Sequence, residues 1–365
     1  MKNLFNFSIF QKLLVTMLLV ALLPLSAIWY VDYRNASRQI SDSVNQRLGD
    51  TSDKLTAHLD SWMAMNMKAL RQHATEADMI SMEPGRQNPI LKSMLREYDW
   101  SYLMFTFSPT GMSVGRSDDK PNVDYSDRIY FKQVMEGNPY GKQVVISKTN
   151  GRPALILAVP INKEDAAQGT KTVVGAIAMG AQLTSISEII TKIRIGETGY
   201  AFLLDQDGKI VAHQKAEYVE KMADFSKHPA FLARPESGKK QVVYEENGKK
   251  IIAYVQTAQQ GWTMVTQQDY DEAYAPIAEA NRNALILLVL TLVVVTAVAY
   301  FFSQRLANPI RDLTRIADEM SRGRVVSRLQ AAERRDEIGN LARAIDRMGT
   351  SIRLAMDRLT VKKSA

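Results

Sequence analysis

Residues 284–302 read ALILLVLTLVVVTAVAYFF, a run without a single charge. A helix needs ~20 such residues to cross a hydrocarbon core. Residues 13–30, LLVTMLLVALLPLSAIWY, form a second uncharged run. It is long for the apolar stretch of a secretory signal, and the residues after it (Asp32, Tyr33, Arg34) lack a small-x-small cleavage site. An uncleaved anchor is therefore the expectation, with a cleaved signal as the alternative. Trp29 and Tyr30 sit where interfacial aromatics belong.

Charge sets the orientation. The chain carries a net +7, concentrated beside the two apolar runs. From Ser303 onward there are 14 Lys/Arg against 8 Asp/Glu, and Lys2 and Lys12 precede the first run. Cytoplasmic flanks are the basic ones. Both ends are then cytoplasmic (1–12 and 303 onward), the spans are 13–30 and 284–302, and 31–283 lies outside. A multi-pass protein of the bacterial cytoplasmic (inner) membrane is expected, with its sensor in the periplasm or outside. A nucleic-acid protein would gather its basic residues on one folded domain, so no nucleic-acid partner is expected.

Enzyme chemistry is not indicated. There is no cysteine, and His58, His73, His213 and His228 show no metal-binding spacing. A Gly-rich phosphate loop and a GxSxG elbow are absent. No catalysis, metal or cofactor is expected.

Between the spans, residues 34–80 place Ile40, Val44, Leu48, Leu55, Leu59, Trp62 and Leu70 at helical spacings. This long helix reads as a stalk, a dimer seam, or a helix packed on its own domain. From Ser101 the period becomes that of strands. Tyr102–Phe107, Gln143–Lys148, Ala154–Pro160 and Val173–Met179 are predicted strands, with Asn150-Gly151 as a hairpin turn and short helices at Asp127–Gly137 and Leu183–Ile193. A second unit repeats the plan: Tyr200–Asp205, Lys209–His213, Gln241–Glu245, Lys250–Gln256 and Trp262–Gln267.

The order of Asp127-Arg128-Ile129-Tyr130-Phe131, Gly151-Arg152-Pro153, Ala158-Val159-Pro160 and Val174-Gly175-Ala176, then Gly196-Glu197-Thr198-Gly199-Tyr200-Ala201 before Asp205-Gln206-Asp207-Gly208, resembles a double Cache domain. That family supplies the outer sensor of many bacterial chemoreceptors, kinases and cyclases. The resemblance implies an α+β fold: two PAS-like antiparallel-sheet modules behind a long N-terminal helix, the distal one at about 80–194 and the proximal one at about 195–270.

Arg128 is the first candidate ligand residue, because a guanidinium offers a planar fork of donors to a carboxylate or phosphate. Its alternative is an ion pair with Asp127, Asp124 or Asp118. Tyr130 follows, by stacking and its hydroxyl, then Phe131, which is also a natural core residue. Tyr102, Asp118 and Tyr125 complete the set. Amino-acid binders of the family add a tyrosine before the arginine, a Trp-Tyr pair and another tyrosine after it, and an aspartate for the ligand amine. The corresponding places here hold Val123, Tyr130-Phe131, Val144 and Gly180. A buried ammonium without a carboxylate is costly. The expected ligand is therefore small, anionic or neutral, and not a free amino acid.

After the second span, Ala307-Asn308-Pro309-Ile310 leads a short amphipathic helix expected to end at Gly323. A connector carries Val326 and Leu329, and Asp336-Glu337-Ile338-Gly339 opens a second helix. Its residues Ile338, Leu341, Ile345, Met348, Ile352, Ala355 and Leu359 form a heptad seam. Residues 303–356 resemble a HAMP domain, which implies a homodimeric four-helix coil with Pro309, Asp336, Glu337 and Gly339 in the signal-converting role. A short tail, 357–365, follows with no kinase, cyclase or methyl-accepting hairpin. Either the receptor is truncated or split, or it acts through a cytoplasmic signalling protein. The reading is a transmembrane receptor, as in chemotaxis or two-component signalling. The alternative is a membrane scaffold, or a module sensing a periplasmic protein.

Overall fold

The computed structural model describes residues 9–165, 170–259, 261–322 and 330–361. The expected helix end at Gly323 and the connector points Val326 and Leu329 lie outside the described residues. The chain divides into a sensor unit, Gln39–Pro276, and a second unit made of the segments on either side of it.

Helix α1 spans Ile9–Ala74. Within the sensor it buries Leu55, Leu59, Trp62, Met63, Met67 and Leu70, which fall on one helical face. The single helix expected over 34–80 is interrupted at Thr75-Glu76, and Ala77–Ile80 forms a separate turn, α2. Helix α3, Pro84–Glu97, opens on Pro84 in its first turn, where a missing N–H is no loss.

The first module continues with β1 (Ser101–Phe107), β2 (Ser113–Arg116), α4 (Ile129–Met135), β3 (Gly141–Ile146), β4 (Pro153–Asp165), β5 (Thr170–Gln182) and α5 (Leu183–Thr191). Its strands pair antiparallel in the order β2-β1-β5-β4-β3. Central β5 alternates in a way that shapes both faces. Ile177, Met179 and Ala181 join the core formed with α1 and α3. The small Ala176 and Ala178 turn to the other face, where they leave room for Phe105, Phe107, Tyr125, Tyr130 and Phe131.

The second module comprises β6 (Tyr200–Leu204), β7 (Ile210–Ala212), α6 (Ala216–Glu220), α7 (Pro229–Leu232), β8 (Gly238–Glu246), β9 (Lys249–Thr257) and β10 (Thr263–Asp269). Its sheet order, β7-β6-β10-β9-β8, repeats that of the first module. The repetition reaches individual bonds. Tyr125 N donates to Gly111 O and Phe225 N to Gly208 O, both at 2.8 Å. Asp124 and Asp224 each accept from the serine two residues on, also at 2.8 Å. Arg128 and His228 each stand as the extended residue before the following helix, α4 or α7. Five residues beyond Gly111 and Gly208 come Arg116, paired across the sheet with Phe105, and His213, whose ring centre lies 5.7 Å from that of Phe202.

In the second unit, α8 (Tyr270–Phe302) carries an apolar run long enough to cross a membrane, as does α1. A π-helical turn, Ser303–Ala307, leads into α9 (Asn308–Ser321), whose first turn holds Pro309. The last helix, α10, covers Glu337–Val361. The heptad seam divides: Ile338 and Ile345 are buried with Ala342 against Leu313, whereas Leu341, Met348 and Ile352 are exposed.

Candidate ligand-binding site

A cavity opens on the aromatic face of the first sheet, lined by Tyr102, Phe105, Tyr125, Arg128, Tyr130, Ser147 and Lys148 among others. Four of the six candidate ligand residues, Tyr102, Tyr125, Arg128 and Tyr130, meet there. Phe131 does not line it; its ring packs on Phe107 at 5.6 Å. Asp118 does not line it either, because its carboxylate is taken by Arg116.

Arg116 is the residue that sequence reasoning missed. Its side chain is only 3% exposed. Nε and Nη2 donate to the two oxygens of Asp118 at 2.9 Å, Nη1 to the Tyr125 hydroxyl at 3.0 Å, and Nη2 also to Thr149 Oγ1 at 3.2 Å. Burial works against the charge of both partners, yet the bidentate pair outweighs it. The Arg116 pKa is raised and that of Asp118 lies below the usual carboxylate range. Four of its five donors are engaged, and they hold the end of strand β2 to the loop that carries Tyr125.

Arg128 differs. Asp127 Oδ1 lies 3.8 Å from its Nε and is bonded more closely, at 2.7 Å, by Lys148. Arg128 Nη2 reaches the carbonyl of Ile146 at a long 3.4 Å. Asp124 caps the Ser126 amide and Asp118 belongs to Arg116. None of the ion pairs weighed for Arg128 is therefore a close one. Its side chain remains 19% exposed at the edge of the cavity. Arg128 and Lys148 contribute positive charge, and none of the described lining residues is acidic. The wall suits an anion or a neutral hydrogen-bond acceptor.

Tyr102 closes the cavity from β1. Its hydroxyl donates to Ser147 Oγ at 2.9 Å, and burial pushes its pKa up to about 12. Tyr130 is pushed upward as well, first by burial. A Cβ placed on Gly180 would lie 2.7 Å from the Tyr102 ring. The Tyr102 ring thus covers Gly180, the position that the resemblance sets against the aspartate of amino-acid binders. The cavity itself measures about 10 Å³, room for about one water, so a larger solute enters only if the wall opens. A larger space of about 550 Å³ lies elsewhere, between the apolar stretches around Trp29 and Leu285. In helices of membrane-spanning character such a gap is lipid-facing or helix-facing surface.

The residues expected to convert the signal have their own geometry. Asp336 Oδ1 accepts from Gly339 N at 3.0 Å at the start of α10. The Arg334 guanidinium, then this bond, hold the Asp336 pKa at about 2. A Cβ on Gly339 would fall 2.0 Å from Arg334 O, which only glycine avoids. Glu337 stands in the first turn of α10, where negative charge favours the helix dipole. Arg343, not foreseen, donates from Nη1 to Ala332 O and Arg334 O at 2.8 and 2.7 Å, tying the connector to the helix.

Comparison with known proteins agrees with this architecture. A Cache-domain profile matches residues 34–277 and a HAMP-domain profile residues 301–354. The methyl-accepting chemotaxis protein McpA of Bacillus subtilis is 21% identical over 374 residues, covering 95% of this chain and 51% of the relative. PscA of Pseudomonas syringae pv. tomato is 23% identical over 375 residues, covering 97% and 56%. The chain thus spans about half the length of these curated relatives. Among solved structures, the ligand-binding domain of Mlp24 with asparagine superposes with a TM-score of 0.52 at 18% identity, covering 67% of this chain and 99% of that one. The ligand-binding domain of the Pseudomonas aeruginosa amino acid chemoreceptor PctB, in complex with L-Gln, gives 0.51 at 18%, covering 66% and 98%. At that identity the likeness speaks for the fold alone. With the Cache profile spanning both sheet modules and the HAMP profile spanning α9 and most of α10, the chain belongs to the Cache-domain family.

Proposed function

We propose that this chain is the sensing half of a homodimeric receptor in a bacterial inner membrane, with the Cache domain outside and the HAMP segment in the cytoplasm. The first module, distal to the membrane, binds a small anionic or neutral solute that is not a free amino acid. Arg128 takes its acceptor group, and Tyr130, Tyr102 and Tyr125 enclose it. The observation that carries this reading is the contrast between Arg116, with four of its five donors engaged, and Arg128, whose contacts are long and whose cavity has no acid among the described lining residues. The amino acids named with Mlp24 and PctB need an ammonium partner that Gly180 does not supply.

Binding at Arg128 has a contiguous route onward. The carbonyl of Tyr130 abuts Gly141. Its neighbour Lys142 sets its ammonium 5.6 Å from the centre of the Trp262 ring, just before β10. Strand β10 then runs directly into α8. A ligand shifts the output only by its differential affinity for the two states of this route. The exposed Leu341, Met348 and Ile352 of α10 are the surface for the second chain of a HAMP coil. A cytoplasmic signalling protein receives the result, and no catalysis by this chain is required.

The experiment is a thermal-unfolding screen of the full chain in detergent against organic acids, neutral metabolites and amino acids, with Arg128→Ala beside the wild type. A ligand at 100 times its Kd adds about 2.7 kcal/mol. The reading expects an organic-acid or neutral hit that vanishes in the variant. Stabilisation by amino acids and not by organic acids would overturn the ligand class. The small cavity favours one second reading, in which the module docks a periplasmic solute-binding protein. Binding of such a protein without any small-molecule hit would support it.

A further inference from the structure

The second module repeats the frame of the first, and it too has a cavity, of about 130 Å³, lined by strand residues that include Tyr200, Glu246 and Asp269. Against about 10–15 Å³ for one water, that space admits a molecule of several heavy atoms. Its chemistry is the reverse of the Arg128 cavity. Tyr200, Glu246 and Asp269 line it, and Lys249 is the single basic residue in the wall. Lys249 is already paired with Asp269 at 2.8 Å through a side chain 67% exposed, so that pair is weak.

Glu246 is the key group. Its side chain is 29% exposed, His228 Nε2 stands 3.8 Å away, and Gln267 Nε2 donates at a long 3.4 Å. A half-buried carboxylate with only loose contacts has acceptor capacity left over. Tyr200 reports the same field: burial, then the charge of Glu246, pushes its hydroxyl up to about 12. An aromatic face beside two carboxylates is a site for an organic cation. A carboxylate ligand would instead meet both acids, with Lys249 already engaged.

The geometry points to a second solute site in the proximal module, at Glu246, Asp269 and Tyr200, for a small primary amine. The ammonium takes the free valence of Glu246 and displaces Lys249 from Asp269, and the Tyr200 ring covers it. The inference is independent of ligand binding at Arg128, so the two stand or fall separately.

The test uses the full chain in lipid nanodiscs, ethanolamine as the probe and glycolate as an anion of similar size. Ethanolamine is expected to raise the unfolding temperature in the millimolar range, with affinity at least tenfold weaker in Glu246→Gln and unchanged in Arg128→Ala. Lys249→Ala, which frees Asp269, is expected to bind ethanolamine severalfold more tightly. Glycolate should gain nothing from Lys249→Ala. Absence of any ethanolamine shift in both wild type and Lys249→Ala overturns the proposal. So does a shift that survives Glu246→Gln, or one lost in Arg128→Ala. Should Glu246→Gln fail to fold, Lys249→Ala decides alone: unchanged affinity there places the amine elsewhere.

Discussion

Arg116 and Arg128 of the first module stand where the second module has His213 and His228. The turns, the Asp-Ser caps and the strand order around them are shared. The permanent charges of the first module require partners and attract anions. The second module has imidazoles packed among Phe202, Tyr218 and Phe225, and Phe225 lies stacked on His228 at 5.1 Å. One backbone frame thus holds a cationic pocket in one copy and an aromatic, acid-edged one in the other. The fold specifies where a pocket lies, and the side chains that line it, Arg128 and Lys148 in one module and Glu246 and Asp269 in the other, specify its sign.

The comparison breaks most visibly at Arg116. Arg116→Ala leaves the half-buried Asp118 without its bidentate partner and the Tyr125 hydroxyl without a donor. Losing one member of such a pair costs about 3–5 kcal/mol. Urea unfolding of the full chain, followed by tryptophan fluorescence, should show that loss. A change below about 1 kcal/mol, the level of an exposed ion pair, would mean that Arg116 is no more structural than Arg128.

Gly180→Ala comes next. The added Cβ meets the Tyr102 ring at 2.7 Å and forces it from its bond with Ser147. Overpacking of this kind costs about 1–3 kcal/mol. Because the ring moves off the cavity, solute access should increase as stability falls. Equal stability of variant and wild type would show that Tyr102 does not rest on Gly180.

The sequence makes these two residues unequally visible. Gly180 draws notice in the sequence only through the resemblance, which sets it where amino-acid binders of the family carry an aspartate. Arg116 draws none. Its strand, Ser113–Arg116, is too short to show alternation, and an arginine reads as surface until its partners are seen. Asp118 was legible as a charge near the site but was assigned to the ligand, since sequence spacing alone does not say which of two arginines it faces. The paired sheets followed from strand period and Asn-Gly turns. Helix α3 was hidden by Pro84 and Pro89, and the π-turn at Ser303–Ala307 leaves no periodic signal. The match of His213 and His228 to the arginines has no sequence spacing to show it, because it appears in hydrogen bonds and not in residue type.

His213 gives the second module its own signature. Burial, chiefly, lowers its pKa to about 4 from the ordinary 6.5, and Nδ1 accepts from Lys215 N at 2.8 Å. The unfolded chain then binds the proton more readily than the folded one. Stability should be complete above pH 6.5 and fall as pH drops from there toward 4, by about 1–2 kcal/mol at pH 5. Asp118, held low, loses its contribution only below its ordinary 3.8, so the two windows are separate. Unfolding of wild type and His213→Gln at pH 7 and pH 5 tests this. The variant should lose the slope, and a slope that persists would place the titrating group elsewhere.

The smallest effect on stability is expected at Arg128, and its smallness is the point. Arg128→Ala removes a 3.4 Å contact and a 3.8 Å ion pair whose acid already has Lys148. Surface changes of that kind stay within about 0.5 kcal/mol. A residue that does little for the folded state yet abolishes stabilisation by a solute is available for binding because it is not required for packing. If Arg128→Ala instead matched Arg116→Ala in cost, the two arginines would be one structural network, and the anion-binding role would pass from Arg128 to Lys148.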